Sequence, residues 1–265
     1  MKYKILAIDL DGTLLNDNKE ISNENMDAIL CAIESGILVV PCTGRSIQGI
    51  TKYKFFEKLN SPAIAYNGGM IVNLTNNEIM FHYPLLNKDA EFIVKKGIEI
   101  DTNICVWIDN TLYCNKINNY TLEYSKLNSV SPIQFTELKD ISDKVMTKIL
   151  WYDKENKINP YLNSMNRVVS EDVTCCTSKP WFLEFFNSKT SKALALQKLC
   201  DLYNISRKEL VAVGDELNDI SMIEFAGLGV AMKNAKEEVK ERANYIIGSN
   251  NKSAVADLIY NIILK

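Results

Sequence analysis

Four short stretches of the sequence hold acids, hydroxyls and a lysine at spacings that chemistry could use: DLDGT at 9–13, CTGR at 42–45, TSK at 190–192 and GDELND at 214–219. Two acid clusters, Asp9 with Asp11 and Asp215 with Asp219, offer the oxygen ligands that a hard cation such as Mg²⁺ takes. A Thr hydroxyl, a side-chain-free Gly amide and a Lys, all present in these stretches, are groups that grip phosphate oxygens. Taken singly, each stretch has an ordinary structural reading. Asp-Gly after a strand makes a turn, Thr-Gly-Arg a cap and a bend, a lone lysine a solvated surface, and Gly-Asp-x-x-Asn-Asp a helix start. Taken together they supply complementary parts of one site.

Such groups work only if separate elements carry them to one place, and the sequence alternates the right elements. YKILAIDL is a short apolar run that meets its first acid at Asp9. SNENMDAILCAIESG places Met26, Ile29, Leu30 and Ile33 at helical spacing, with Ser22 as N-cap and Gly36 as the stop. ILVVPCTG and PAIAYNGG read as two further buried strands. Toward the C-terminus, SKALALQKLCDLY sets Leu196, Leu199, Cys200 and Tyr203 on one helical face. ELVAVGD is a strand, NDISMIEFAG a helix closed by Gly227, and GLGVAM another strand. Strand–helix alternation with β-branched runs predicts an α/β fold with a parallel sheet covered on both faces. In such sheets ligands collect beyond the carboxyl ends of the strands, and the four polar stretches fall at candidate strand or helix edges.

Between about Pro84 and Asn187 the rhythm changes. ICVWID and NTLYCN predict a hairpin turning through Asp109–Asn110, and VTCCTSKPWFLEFFN a second turning near Ser178–Pro180. Helical stretches around 88–99 and 155–168 would cover one face. This segment reads as an α+β insert, so the outer domain is expected to be discontinuous in sequence: 1–83 with 188–265, interrupted by 84–187.

The bulk numbers bound the function. With 265 residues, 47% apolar and 24% charged, the chain has the balance of a globular protein with a substantial core. A net charge of −3 and a pI near 5.4 give no support for nucleic-acid binding. No apolar run approaches the ~18 residues of a membrane span, and acids arrive too early for a secretory signal. A cytoplasmic location without membrane attachment is expected. The seven cysteines include no C-x-x-C pair and read as free structural thiols, with Cys31, Cys105 and Cys200 among apolar neighbours. Cys175 and Cys176 point to opposite faces if they lie on a strand. The single histidine, His82, has no ligand partners nearby in sequence, which disfavours a His-based zinc site or a Ser-His-Asp triad.

In order and spacing, DLDGTLL, CTGR, SK and GDELNDISM resemble the four motifs of the haloacid dehalogenase (HAD) superfamily. YNGG after the third strand and the tail GVAMKNAKEEVKERANYI are similar to its Cof-type, class IIB phosphatase branch. The resemblance covers both flanks, and the insert corresponds by position and α+β character to the cap domain of that class. It implies a doubly wound, Rossmann-like core with an inserted α+β cap that sets substrate specificity. It also implies Mg²⁺-dependent hydrolysis of small phosphate monoesters, sugar phosphates or related metabolites, through an aspartyl-phosphate. Asp9 would be the nucleophile and Asp11 the general acid and base. The amide of Leu10, Thr43, the amide of Gly44, Lys192 and Asn218 would bind phosphate. Asp9, the main-chain carbonyl of Asp11, Asp215 and Asp219 would hold the metal or its waters.

The family's lysine is usually followed by glycine; here Ala193 follows, which suits a helix opening at Lys192. Arg45 and Asn67 are candidate substrate contacts, each with an equally ordinary alternative, a surface pairing for Arg45 and a turn role before Gly68–Gly69 for Asn67, and Glu184 is a candidate contact to a substrate hydroxyl. Trp107, Trp151 and Trp181 could stack on a substrate, although core packing is the commoner fate of tryptophan. Two alternatives to a phosphatase remain: a phosphotransferase or phosphomutase on the same scaffold, and a non-catalytic phospho-aspartate switch. A second acid two residues after the nucleophile argues against the switch, since it would hasten loss of the stored signal. The physiological ester and the oligomeric state are not legible in the sequence.

Overall fold

The structure is a computed structural model and describes residues 2–265. Along the chain run β1 (Ile5–Ile8), α1 (Asn23–Glu34), β2 (Leu38–Pro41), α2 (Ile47–Thr51), β3 (Pro62–Ala65), β4 (Met70–Asn73) and β5 (Ile79–His82). Then come α3 (Asn87–Glu99), β6 (Asn103–Ile108), β7 (Thr111–Cys114), α4 (Asn119–Asn128), β8 (Ile133–Gln134), β9 (Met146–Tyr152), α5 (Glu155–Met165), β10 (Val173–Lys179) and β11 (Phe182–Asn187). The chain closes with α6 (Lys192–Tyr203), β12 (Leu210–Gly214), α7 (Ile220–Phe225), β13 (Leu228–Met232), α8 (Glu237–Lys240), β14 (Tyr245–Ile247) and α9 (Ala254–Leu258). The described residues divide into two compact units, one of residues 2–44, 53–81 and 191–265, the other of 45–52 and 82–190.

The first unit is built on a five-stranded parallel sheet in the order β14-β13-β12-β1-β2. Its central strands, β1 and β12, are buried along their whole length, as the unbroken apolar runs require of strands covered on both faces. The register Ile8↔Val213 and Ile8↔Pro41 aligns the carboxyl ends of β1, β12 and β2, so the residues that follow them start from one edge. Cys42 bridges Ile64 and carries the pairing on to β3, which forms an antiparallel trio with β4 and β5. Ser22 caps α1 by accepting the Asn25 amide, and Gly36 follows the helix in a left-handed conformation. The buried face of α1 is Asn25, Ala28, Ile29 and Ala32; of the stripe expected from hydrophobicity Ile29 lies on it, whereas Met26, Leu30 and Ile33 are only partly buried. Small residues let the helix lie close, and its larger side chains spread to the flanks. In α6 the buried set includes Leu196, Leu199 and Cys200, but Tyr203 is exposed.

The second unit is a six-stranded sheet in the order β10-β11-β9-β6-β7-β8, antiparallel except at β7–β8. The first hairpin turns at Asp109 and Asn110, both at positive φ (46° and 60°), as a two-residue turn matched to strand twist requires. The second turns at Pro180–Trp181, at the end of the expected Ser178–Pro180 stretch. Helices α3 and α5 cover one face, with Ile93 and Val94 of α3 and Ile158 of α5 in one core with Ile104, Ile149, Trp151 and Phe185 of the sheet. Trp107 and Trp151 are core residues, whereas Trp181 is partly exposed. The α4 helix, for which the sequence reading had no element, opens on a capping box at Asn118 and Thr121. Segment 45–52 belongs with this unit and not, as expected, with the residues that precede it. Ser46 of that segment donates to Asn128 at the end of α4 (3.2 Å). None of the described helices is long and apolar enough to cross a membrane.

Candidate active site

Asp9 is the first residue after β1, with its amide donated to the Val213 carbonyl (3.0 Å), so the sheet itself sets its position. Asp215 follows β12 in the neighbouring row, and Asp219 closes the short 3₁₀ turn Leu217–Asp219 beyond it. All three side chains are buried, and one carboxylate oxygen from each lies within 4.8 Å of the others. Lys192, at the start of α6, brings its ammonium to Asp9 Oδ1 (2.6 Å) and Asp219 Oδ1 (2.5 Å). Ser191 caps that helix and Ala193 continues it, so glycine is not required there.

Hydrogen bonds fix each carboxylate. Asp219 Oδ2 accepts the amides of Asp215 and Glu216, both at 2.9 Å, which ties the turn to the end of β12. Thr13 donates its hydroxyl to Asp215 Oδ1 (2.6 Å). Gly12 between them has φ +83°, and a Cβ there would stand 2.2 Å from Asp215 Oδ2, so both its conformation and its lack of a side chain are needed. Asn234 donates to the Gly12 carbonyl (2.7 Å) and holds the loop from outside.

The electrostatics follow from burial. Three carboxylates facing one ammonium leave a local charge of −2 if all are ionised. Burial and the neighbouring Asp219 hold the Asp9 carboxyl well above the usual range, against the pull of Lys192. Burial raises Asp215 to about 6, although the Thr13 hydroxyl bond opposes it. Burial alone would depress Lys192, but Asp219 and Asp9 outweigh it and keep the ammonium charged. A set of buried oxygen donors with a deficit of two positive charges fits a hard divalent cation. Asp219 already receives three hydrogen bonds, so Asp9 and Asp215 carry the larger share of free ligand capacity.

A second group of residues stands beside this cluster. Thr43 follows Cys42, whose thiol lies near enough to Lys192, Asp219 and Asp9 to feel their charges. The Thr43 amide is donated to Ile64 (2.9 Å) and its carbonyl accepts the Asn67 amide (3.0 Å). A Cβ on Gly44 would lie 2.8 Å from Asn67 Oδ1, and that same oxygen accepts from Asn218 Nδ2 (2.8 Å). Asn67 therefore joins the 43–44 loop to the 214–219 turn. Tyr66 and Asn67 both hold positive φ (52° and 57°), a conformation unusual for residues with a Cβ. Leu10 is fully buried between the two acids.

Asp11, Arg45 and Glu184 have close partners of their own. Asp11 is not among the three clustered acids; it is partly exposed, and its carboxylate pairs with Lys19 (2.9 Å). Arg45 belongs to the second unit and donates to the Gly49 carbonyl (3.2 Å). Glu184, also in that unit, forms a buried ion pair with Lys148 (2.8 Å) and accepts from Ser178 (2.7 Å). Thr13, Asn234 and Lys19 were missed as site residues. Thr13 was visible in DLDGT, directly after the acids, whereas a pairing with Asp215 across 202 residues had no signal.

A family model for haloacid dehalogenase-like hydrolases matches residues 6–259. The chain belongs to that family. YxeH of Bacillus subtilis is 35% identical over 270 residues, 99% of each chain. YcsE of the same organism, a 5-amino-6-(5-phospho-D-ribitylamino)uracil phosphatase, is 33% identical over 262 residues, covering 98% of this chain and 96% of its own. A haloacid dehalogenase-like hydrolase from Bacteroides thetaiotaomicron has a solved structure with a TM-score of 0.91 at 30% identity, covering 98% of this chain and 100% of that one. The α/β architecture with a parallel sheet and an α+β second unit is thus that of a haloacid dehalogenase-like hydrolase.

Proposed function

We propose that this haloacid dehalogenase-like hydrolase is a Mg²⁺-dependent phosphatase of small phosphate monoesters that works through an aspartyl-phosphate on Asp9. The observation that carries the reading is the buried cluster of Asp9, Asp215 and Asp219 around Lys192, with its deficit of positive charge. A phosphate monoester brings about −2 at neutral pH, and a carboxylate must approach it as an anion. Two such anions a few ångströms apart in a low-dielectric site repel by several kcal/mol. Lys192, fixed between Asp9 and Asp219, offsets part of that repulsion. A Mg²⁺ ion held by Asp9, the Asp11 carbonyl and Asp215, with Asp219 on its waters, would supply the remaining positive charge to the phosphoryl oxygens.

The chain's own groups do the rest. The Asp9 carboxylate attacks phosphorus in line, and the ester P–O bond breaks as Asp11, turned away from its exposed pairing with Lys19, gives its proton to the departing oxygen. Asp11 then takes a proton from water, the hydroxide attacks the aspartyl-phosphate, and inorganic phosphate leaves with Asp9 regenerated. Thr43, the amides of Gly44 and Leu10, and Asn218 hold the transferring group, favouring the spread charge of the transition state. The ester named for YcsE is a phosphorylated sugar-alcohol side chain on a pyrimidine, which supports small phosphorylated metabolites, sugar phosphates among them, as the substrate class. Asp9→Asn should abolish phosphate release from an aryl phosphate while the circular dichroism spectrum stays that of the parent. Undiminished turnover in the variant would remove Asp9 from its role.

A further inference from the structure

We propose that Cys105 and Cys114 form a cross-strand thiol pair that closes to a disulfide when the folded chain meets a low-molecular-weight disulfide. The two residues are directly opposite on β6 and β7. The adjacent pair, Ile104 and Asn115, carries the ladder bond, with the Asn115 amide donated to the Ile104 carbonyl (3.2 Å). Ladder bonds alternate along an antiparallel pair, so Cys105 and Cys114 occupy a non-hydrogen-bonded position. There the Cα atoms stand about 4.5 Å apart, inside the span a disulfide bridges. Both side chains point to the same face, and the sulfurs are already 3.5 Å apart. Small side-chain rotations are enough to bring them to bonding distance.

The other five cysteines lack such a register. Cys175 and Cys176 are neighbours on β10, paired with Phe185 and Glu184. Cys42 bridges Ile64, and Cys31 and Cys200 lie in separate helices. Both thiols of the pair are fully buried, and burial keeps the Cys105 thiol protonated, so exchange has to wait for a local opening. The route is the outer side of β7, whose neighbour β8 meets it through two residues only, Ile133 and Gln134. The chemistry balances as ordinary thiol–disulfide exchange. One cysteine thiolate attacks the reagent disulfide and expels one thiolate. The second attacks the mixed disulfide, forms the protein S–S bond and expels the other. Two protein thiols are oxidised, and the reagent is reduced to two free thiols. The inference is independent of the phosphatase reading, since no group of the catalytic cluster takes part.

The test uses the full chain and 2-hydroxyethyl disulfide, followed by alkylation of remaining thiols and tryptic digestion. Peptide 97–116 ends at Lys116 and contains Cys105, Cys114 and no other cysteine. Expected is a form of this peptide two hydrogen masses lighter than the dithiol and carrying no alkyl group. Cys114→Ser should abolish that form and leave Cys105 alkylated or as a mixed disulfide. If peptide 97–116 stays doubly alkylated while Cys175 or Cys176 becomes modified, the proposal is wrong. It is equally wrong if the product is two separate mixed disulfides on Cys105 and Cys114.

Discussion

At the scale of single residues, the site is a problem in charge. Asp215 titrates near 3.8 when unfolded and near 6 in the folded chain, because burial disfavours its anion. Between those values the folded state holds a proton that the unfolded state has released. Raising the pH through the window therefore penalises the folded state, and the contribution is constant above and below it. In chelated protein, the stability of the parent relative to Asp215→Asn should fall as pH rises from about 4 to about 6, as read by urea unfolding. A rise, or no change, would contradict the burial of an unneutralised Asp215. Asp9, also held high by burial, contributes with the same sign.

At the scale of elements, two glycines with similar backbones separate conformational strain from steric collision. Gly36 and Gly68 both have positive φ (84° and 101°). A Cβ on Gly36 meets nothing within 4 Å, whereas one on Gly68 would lie 2.2 Å from the Ser191 carbonyl oxygen, one residue before Lys192. Gly36→Ala should cost only the left-handed strain, about 1–2 kcal/mol. Gly68→Ala should cost clearly more, and it should also weaken activity by pushing the start of α6 away. Equal unfolding midpoints for the two variants would show that α6 does not press on the 66–69 turn. Sequence patterning showed β1, β2, β12 and β13 because buried parallel strands are unbroken apolar runs, and β3, which pairs antiparallel with β4, because it too is buried along its whole length. It put Ile29 on the inner face of α1 but also Met26, Leu30 and Ile33, which the small residues Ala28 and Ala32 displace to the flanks by approaching the sheet more closely than large ones do. It missed α4 because a helix with Asn, Tyr, Thr, Glu and Ser in its first turns has little apolar periodicity, and its start is specified by Asn118 capping.

At the scale of the whole molecule, motif order told which segments carry the chemistry, and the parallel register of β1, β2 and β12 explains why they converge. Two links were illegible in the sequence. Thr13 reaches Asp215, and Asn67 reaches Asn218, across distances in sequence that only the fold closes. Assignment of 45–52 to the second unit was hidden for the same reason, since its partner Asn128 lies 82 residues away from Ser46. Because the acid cluster is buried and under-neutralised, cation binding should stabilise the entire first unit. At Mg²⁺ a hundredfold above its Kd the gain is about 2.7 kcal/mol. A rise in Tm with Mg²⁺ in the parent that is absent from Asp215→Asn is the expected pattern, and an equal rise in both would place the cation elsewhere.

The most direct measurement is to quench the enzyme during turnover of an aryl phosphate, reduce acyl phosphates with borohydride and sequence the peptides by mass spectrometry. Reduction of an aspartyl-phosphate leaves homoserine, and it is expected at position 9 and at no other aspartate. Homoserine at Asp11 or Asp215, or none while phosphate is released in a burst, would contradict Asp9 as the residue that accepts the phosphoryl group.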